Sequence, residues 1–336
     1  MDTSELRARR AEQARRRRAG RRRSALAMLV ILVAAVVIVV ALASGSGSDP
    51  TAAVAKRAQV GSGRRGHAGS AKVSAASHVL TTAGVISTVS PTARGGAPGT
   101  RPVPVLMYHV IAAPPPGAPF PGLYVPAGEF AAQMQALKAA GWHAVTLDQL
   151  DAYWTRGVSL GPGKPIVLTF DNGYHSQYTE AFPILRKLGW VGNENMQLTG
   201  LPPSQGGLTD AEIHAMVAGG WELDTQGISH ADLVTLDPAE LYDQVAVARR
   251  TIQRRFHVPV NWFCYPSGDY DATVIAAVRA AGFVGSTTVV PGWARPSDDP
   301  YVMHRLRVLG GTTPAGLLEQ IAGAQSDPQP PPSYTA

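Results

Sequence analysis

The residues of this chain best placed for chemistry close the run PIVLTFDNGY, residues 165–174. Ile166, Val167, Leu168 and Thr169 read as a short buried parallel strand, and Asp171-Asn172-Gly173 stand where that strand ends. Parallel α/β folds present their reactive groups at this edge, so a carboxylate here can take a proton, orient water or ligate a metal. A second polar constellation, WELDTQGISHADL at 221–233, carries Glu222, Asp224, Gln226 and His230 on and after another short strand. Asp224 and Gln226 are two apart and share a strand face. A site built from Asp171, Asp224 and His230 is therefore one way to hold a divalent cation. A metal-free alternative uses two of Asp171, Glu194, Glu222 and Asp224, because glycoside hydrolysis needs two carboxylates at a suitable separation. Ser229 and His230 are neighbours on opposite faces and no G-x-S-x-G elbow exists, which argues against a serine hydrolase. His109 ends the apolar run of VPVLMYH and is either a groove residue or a core histidine.

These side chains need a frame, and the pattern from Arg101 to about Gln325 supplies one. Strand-like runs at Val103–Tyr108, His143–Leu147, Ile166–Phe170, Asn193–Leu198, Trp221–Thr225, Trp262–Tyr265, Val284–Thr288 and Leu306–Leu309 alternate with helical patterns. Phe130, Met134 and Leu137 mark one helix, Gln149–Thr155 a short one, and Phe182, Leu185 and Leu188 another. Residues 209–218, the face Leu241, Val245, Ala248 and Ile252, and Val274–Ala281 mark three more. Regular β–α alternation predicts a parallel sheet, open or rolled into a barrel. The single cysteine, Cys264, excludes an intrachain disulfide and reads as a small buried residue. Arg305 and Arg307 alternate on the last strand; one of them could hold Asp171 ionised, or form an ordinary surface ion pair.

The N-terminal third reads differently. Residues 1–23 hold ten arginines against three acids, so a chain of formal net charge +6 is close to neutral beyond its tail. Ala25–Ala43 is an unbroken apolar run of about 28 Å as a helix, enough for a bilayer core of about 30 Å. It is longer than the apolar region of a signal peptide, and 24–44 is therefore expected to be an uncleaved transmembrane helix. The arginines then place residues 1–23 in the cytoplasm and the rest outside, at the cell membrane. They serve topology and lipid contact rather than nucleic acid. Residues 45–100, rich in Gly, Ser, Ala and Pro, read as a flexible linker, and 326–336 as a Pro-rich disordered tail.

The three polar motifs, in this order, resemble those of the polysaccharide deacetylases, the NodB-homology family or carbohydrate esterase family 4. PIVLTFDNGY is similar to its T-F-D-D-G motif, WELDTQGISHADL to its H-[S/T]-x-x-H motif, and Tyr265-Pro266-Ser267-Gly268 to its Y-P-[FYS]-G turn. The resemblance covers nearly all of 101–325 and implies an incomplete (β/α) barrel of about seven parallel strands. It implies Asp171 as catalytic base and a zinc-like divalent metal held at positions 172, 226 and 230. It also implies a groove for a cell-wall or extracellular polysaccharide lined by Tyr265, Pro266, Gly268, Tyr174 and His109, with the Tyr265 N–H stabilising an oxyanion. Two of the three metal positions here are amides, Asn172 and Gln226, with His230 retained. Asp224 is a substitute ligand, and no L-x-x-H match supplies the family's general acid. The expected function is membrane-anchored removal of acetyl groups. The alternatives are a glycan-binding protein on the same fold and the metal-free glycosidase.

Overall fold

The computed structural model describes residues 96–118, 120–201 and 206–326. The expected transmembrane helix, nearly all of the linker and nearly all of the Pro-rich tail lie outside them. Among the described residues no helix is long and apolar enough to cross a membrane.

The described chain runs β1 (Val105–Tyr108), α1 (Ala127–Ala139), β2 (Trp142–Val145), α2 (Leu147–Arg156), β3 (Lys164–Asn172), α3 (Phe182–Leu188) and β4 (Asn193–Met196). It continues through α4 (Asp210–Ala218), β5 (Glu222–Thr225), α5 (Pro238–Tyr242), α6 (Ala248–Phe256), β6 (Trp262–Cys264), α7 (Ala272–Ala280), β7 (Gly285–Thr287), β8 (Leu306–Arg307) and α8 (Pro314–Ser326). The strands form one sheet in the order β7-β6-β5-β4-β3-β1-β8, and β2 joins β3 off this path. Every strand pairing is parallel. β2 pairs the first half of β3 at 164–167, and β4 pairs its last residues at 169–172. The segment before β8 then approaches β7: Met303 N–H donates to Ser286 O at 3.0 Å and Arg305 N–H to Val290 O at 3.0 Å. The expected incomplete barrel of about seven parallel strands is observed.

The two faces of the strands separate two environments. Outward residues such as Phe170, Leu168 and Tyr108 pack with Phe130, Phe182, Trp190 and Trp221 beneath the helices. Gly192 allows this closeness, since a Cβ there would sit 2.9 Å from Phe170 and Trp221. A second cluster joins Phe263, Tyr265, Val245, Ile252 and Val274. Inward residues make a polar lumen of Thr169, Asp171, Asn195, Asp224, Cys264 and Arg305 above an apolar floor of Val105, Val167, Trp262 and Met303.

Two expected boundaries shift and one helix is added. Leu147 starts α2 rather than ending β2, because Thr146 and Gln149 form a reciprocal capping box. β3 runs two residues further than expected and carries Asp171 and Asn172 inside the ladder. α8 is an additional helix, seated through Leu317 and Ile321.

Candidate functional site

β3 is the hub of the site because its last residues alternate between lumen and exterior. Asp171 points inward and is 1% exposed. Both its oxygens meet Arg305: Nη1 donates to Oδ1 at 2.7 Å and Nη2 to Oδ2 at 2.9 Å. Asn195 Nδ2 adds a bond to Oδ1 at 2.9 Å. Arg305 is itself fully buried and spans the lumen, donating also to Thr288 O and Thr169 Oγ1. Burial alone pushes the Asp171 carboxyl up, but the charge and bonds of Arg305, with His109 and Asn195, hold it at about 2. Of the two sequence readings of Arg305 and Arg307, the buried one is realised at Arg305. Cys264, buried as expected, lies between this pair, with Sγ 3.3 Å from Arg305 Nη2; burial pushes its thiol up to about 12.

Two imidazoles stand near this carboxylate. His109 Nε2 is 4.0 Å from Asp171 Oδ2. Burial lowers its pKa to about 4 against the raising effect of Asp171, so it is neutral at physiological pH. Its Nδ1 is buried without a hydrogen-bond partner. His230, at the exposed rim, is lowered by desolvation and raised less by Asp171, and its Nε2 accepts the Ser267 N–H at 3.4 Å. Buried Gln177 braces the strand ends, its Nε2 donating to both His109 O and Asp171 O.

Asn172 adopts φ +83°, followed by Gly173 at +86°. An asparagine tolerates this left-handed conformation better than most residues, and the turn lifts its amide toward the next strand. Asn172 Nδ2 donates to Gln197 Oε1 at 2.8 Å, and Gln197 Nε2 donates to Thr199 O at 2.7 Å. Gln226 follows β5 on the adjoining strand, with its backbone N–H on Met196 O and its side-chain Oε1 buried without a partner. Three amide side chains therefore occupy the ends of three adjacent strands.

Several expected site residues are placed differently. Asp224 does not join Asp171 and His230. Its Oδ1 accepts the backbone N–H groups of Asn261 and Trp262, and it shares a buried acidic cluster with Glu222 and Asp148. Burial and the neighbouring acids raise Glu222, and burial raises Asp224. Glu194 is buried on the strand face opposite Asn195, and burial raises its carboxyl. The carboxylates proposed for a glycosidase thus do not converge on one groove. Tyr265 points outward, its OH donating to Tyr301 O at 3.0 Å and its ring stacked on Tyr270. Its backbone N–H is taken by Thr287 O at 3.2 Å, because the β6–β7 ladder extends one residue further than the turn motif suggests. In this loop it is the Ser267 N–H that reaches His230, with Pro266 buried behind it. Gly268, at φ +73°, fits a space that a Cβ would share with Val289. Tyr174 is half-buried, its hydroxyl raised to about 12 by burial, then by Tyr124 and Asp171.

The residues at the expected metal positions are a poor match to a zinc-like ion. Zinc sites are built from thiolate, imidazole and carboxylate donors, and here one imidazole stands among neutral amides. Asp171 has both oxygens committed to Arg305. Among the described residues no group of three or more His, Cys, Asp or Glu is arranged to hold a metal ion.

Residues 160–286, from just before β3 into β7, match the sequence family described as Polysaccharide deacetylase. The chain is 28% identical over 209 residues to the Bacillus subtilis (strain 168) protein named "Putative polysaccharide deacetylase YxkH", covering 62% of this chain and 72% of that one. BC0361, a polysaccharide deacetylase from Bacillus cereus, superposes with a TM-score of 0.58 at 26% identity, over 66% of this chain and 69% of its own. The Streptococcus pyogenes deacetylase PplD, solved in complex with acetate, superposes with a TM-score of 0.61 at 24% identity. It matches 66% of this chain and 99% of its own length, a likeness of fold.

Proposed function

We propose, for a chain that belongs to the polysaccharide deacetylase family, that it removes acetyl groups, as amides or esters, from a polysaccharide. The observation that carries this reading is Asp171, buried at the end of β3 and kept ionised by Arg305 beside two neutral imidazoles. A carboxylate held near 2 is a weak proton acceptor alone, since proton transfer works best near the operating pH. The neutral His109 beside it makes a better acceptor, with Asp171 stabilising the imidazolium that forms. A water attacking the acetyl carbonyl gives up its proton to this Asp171–His109 pair. The oxyanion that results takes over the Ser267 N–H, which His230 Nε2 releases as the acetyl group enters. Collapse of the tetrahedral intermediate breaks the C–N or C–O bond, acetate leaves, and the proton passes to the departing amine or alkoxide.

Bilayer anchoring and an extracytoplasmic position complete the reading. Their support is the apolar run 25–43 behind an arginine-rich tail, which would tether the enzyme facing a cell-wall or extracellular glycan. Glycan binding without turnover is a second reading, favoured by the amides at 172 and 226. Incubating the purified chain with N-acetylated and O-acetylated glycans and measuring free acetate separates the two. Acetate release supports hydrolysis; retention of the glycan with no acetate released would replace hydrolysis by the binding reading.

A further inference from the structure

We infer that the position where the family holds its metal is rebuilt in this chain as a polarised amide relay that excludes a divalent cation. The family reading enters here in locating that position; the relay itself is read from this chain. Its direction is set at the far end. Thr199 O is a carbonyl and can only accept, so Gln197 must present Nε2 to it, at 2.7 Å. Gln197 Oε1 is thereby turned back to residue 172, which must donate, and Asn172 Nδ2 does so at 2.8 Å. The backbone keeps this register: Gln197 N–H donates to Asn172 O, and Thr199 N–H to Ile228 O at 2.7 Å.

A carboxylate at position 172 is incompatible with that direction. Its oxygen would face Gln197 Oε1, or Gln197 would flip and set Oε1 against Thr199 O. The first outcome buries two acceptors against each other, and the second opposes two acceptors at a half-buried position, where donor–acceptor pairs stood. Asn172 is therefore not a lone slip from aspartate but half of a matched pair with Gln197. Gln226 extends the same logic on β5. Its buried Oε1, free of protein partners, accepts a hydrogen bond from a neutral polar group more readily than it replaces the nitrogen donor of an imidazole.

The experiment is a calorimetric titration of the purified chain with Zn²⁺ and Co²⁺ after chelator treatment, with Co²⁺ absorption spectra in parallel. No stoichiometric binding in the micromolar range is expected of the wild type. Asn172→Asp with Gln226→His restores the three donors but keeps Gln197 opposed to the new carboxylate. Adding Gln197→Leu removes that opposition and tightens Zn²⁺ binding ~5–150-fold over the double variant, the equivalent of one relieved buried acceptor. Equal affinity in the double and triple variants overturns the relay. Tight stoichiometric Zn²⁺ binding by the wild type overturns the whole inference, and that titration decides the matter even if a variant fails to fold. Acetate release is a separate readout, so loss of the hydrolytic reading would leave this result standing.

Discussion

Replacing Arg305 with methionine keeps an apolar stem in the lumen but strips Asp171 of the guanidinium that grips both its oxygens. Removing one partner of a buried ion pair typically costs 3–5 kcal/mol, roughly, because the remaining charge is left uncompensated. The pH dependence makes the test specific. In the wild type Asp171 titrates at about 2 in the folded state, against about 3.9 in an unfolded chain. That depression contributes about 2.6 kcal/mol, fully present above about pH 5 and lost as pH falls through about 2. In Arg305→Met, burial, the largest cause, is opposed only by His109 and Asn195, and the carboxyl rises. The residue then contributes stability at low pH and loses it as pH rises through the raised value. The stability gap between the two proteins should be about 3–5 kcal/mol at pH 7 and narrow steadily as pH falls to 3.5. Urea denaturation followed by circular dichroism at a series of pH values measures it. A gap near 1 kcal/mol or less, the worth of a surface pair, or one indifferent to pH, refutes the argument.

Two further outcomes follow from other parts of the barrel. Glu222 and Asp224 are raised by burial, with neighbouring acids adding to the shift at Glu222, so their contribution is present at low pH and is lost as pH rises through their folded values. The melting temperature should fall between pH 5.5 and 8.5, and Glu222→Gln should flatten the fall; a flat wild-type profile contradicts the assignment. Gly285→Ala places a methyl against the Trp262 ring and the Pro300 carbonyl. It should cost ~1–3 kcal/mol by overpacking, measured by urea denaturation, and a loss under ~0.5 kcal/mol would show that β7 yields more easily than the packing implies.

Local pattern carried the fold well because each strand of the barrel is a short apolar run flanked by turn residues, and the motifs stand in order along it. Asp171 stood out as the polar end of such a strand; Asn172, Gln226 and His230 were singled out by motif resemblance, and the structure places the two amides at strand ends and His230 at the rim. Arg305 was visible as an alternating arginine, but its bond to Asp171 spans 134 residues and depends on Met303 and Arg305 pairing beside β7, which no local signal encodes. Asn195 and Gln197 carried a weak signal, as polar residues in and after a fully buried strand; their partners are set by the register of β3 with β4. Tyr265 was misread because the β6–β7 ladder takes its N–H one residue into the turn. Leu147 and α8 had readable signals, a T-x-x-Q capping box and the Leu317–Ile321 spacing.

Acetyl removal is proposed to take place at the ionised Asp171. Acetate release from an acetylated glycan should be measured for the wild type and Asp171→Asn, with glycan binding followed in parallel. Release should fall at least ~100-fold while binding changes little. Undiminished acetate release by Asp171→Asn would place the reaction elsewhere and contradict a role for this carboxylate.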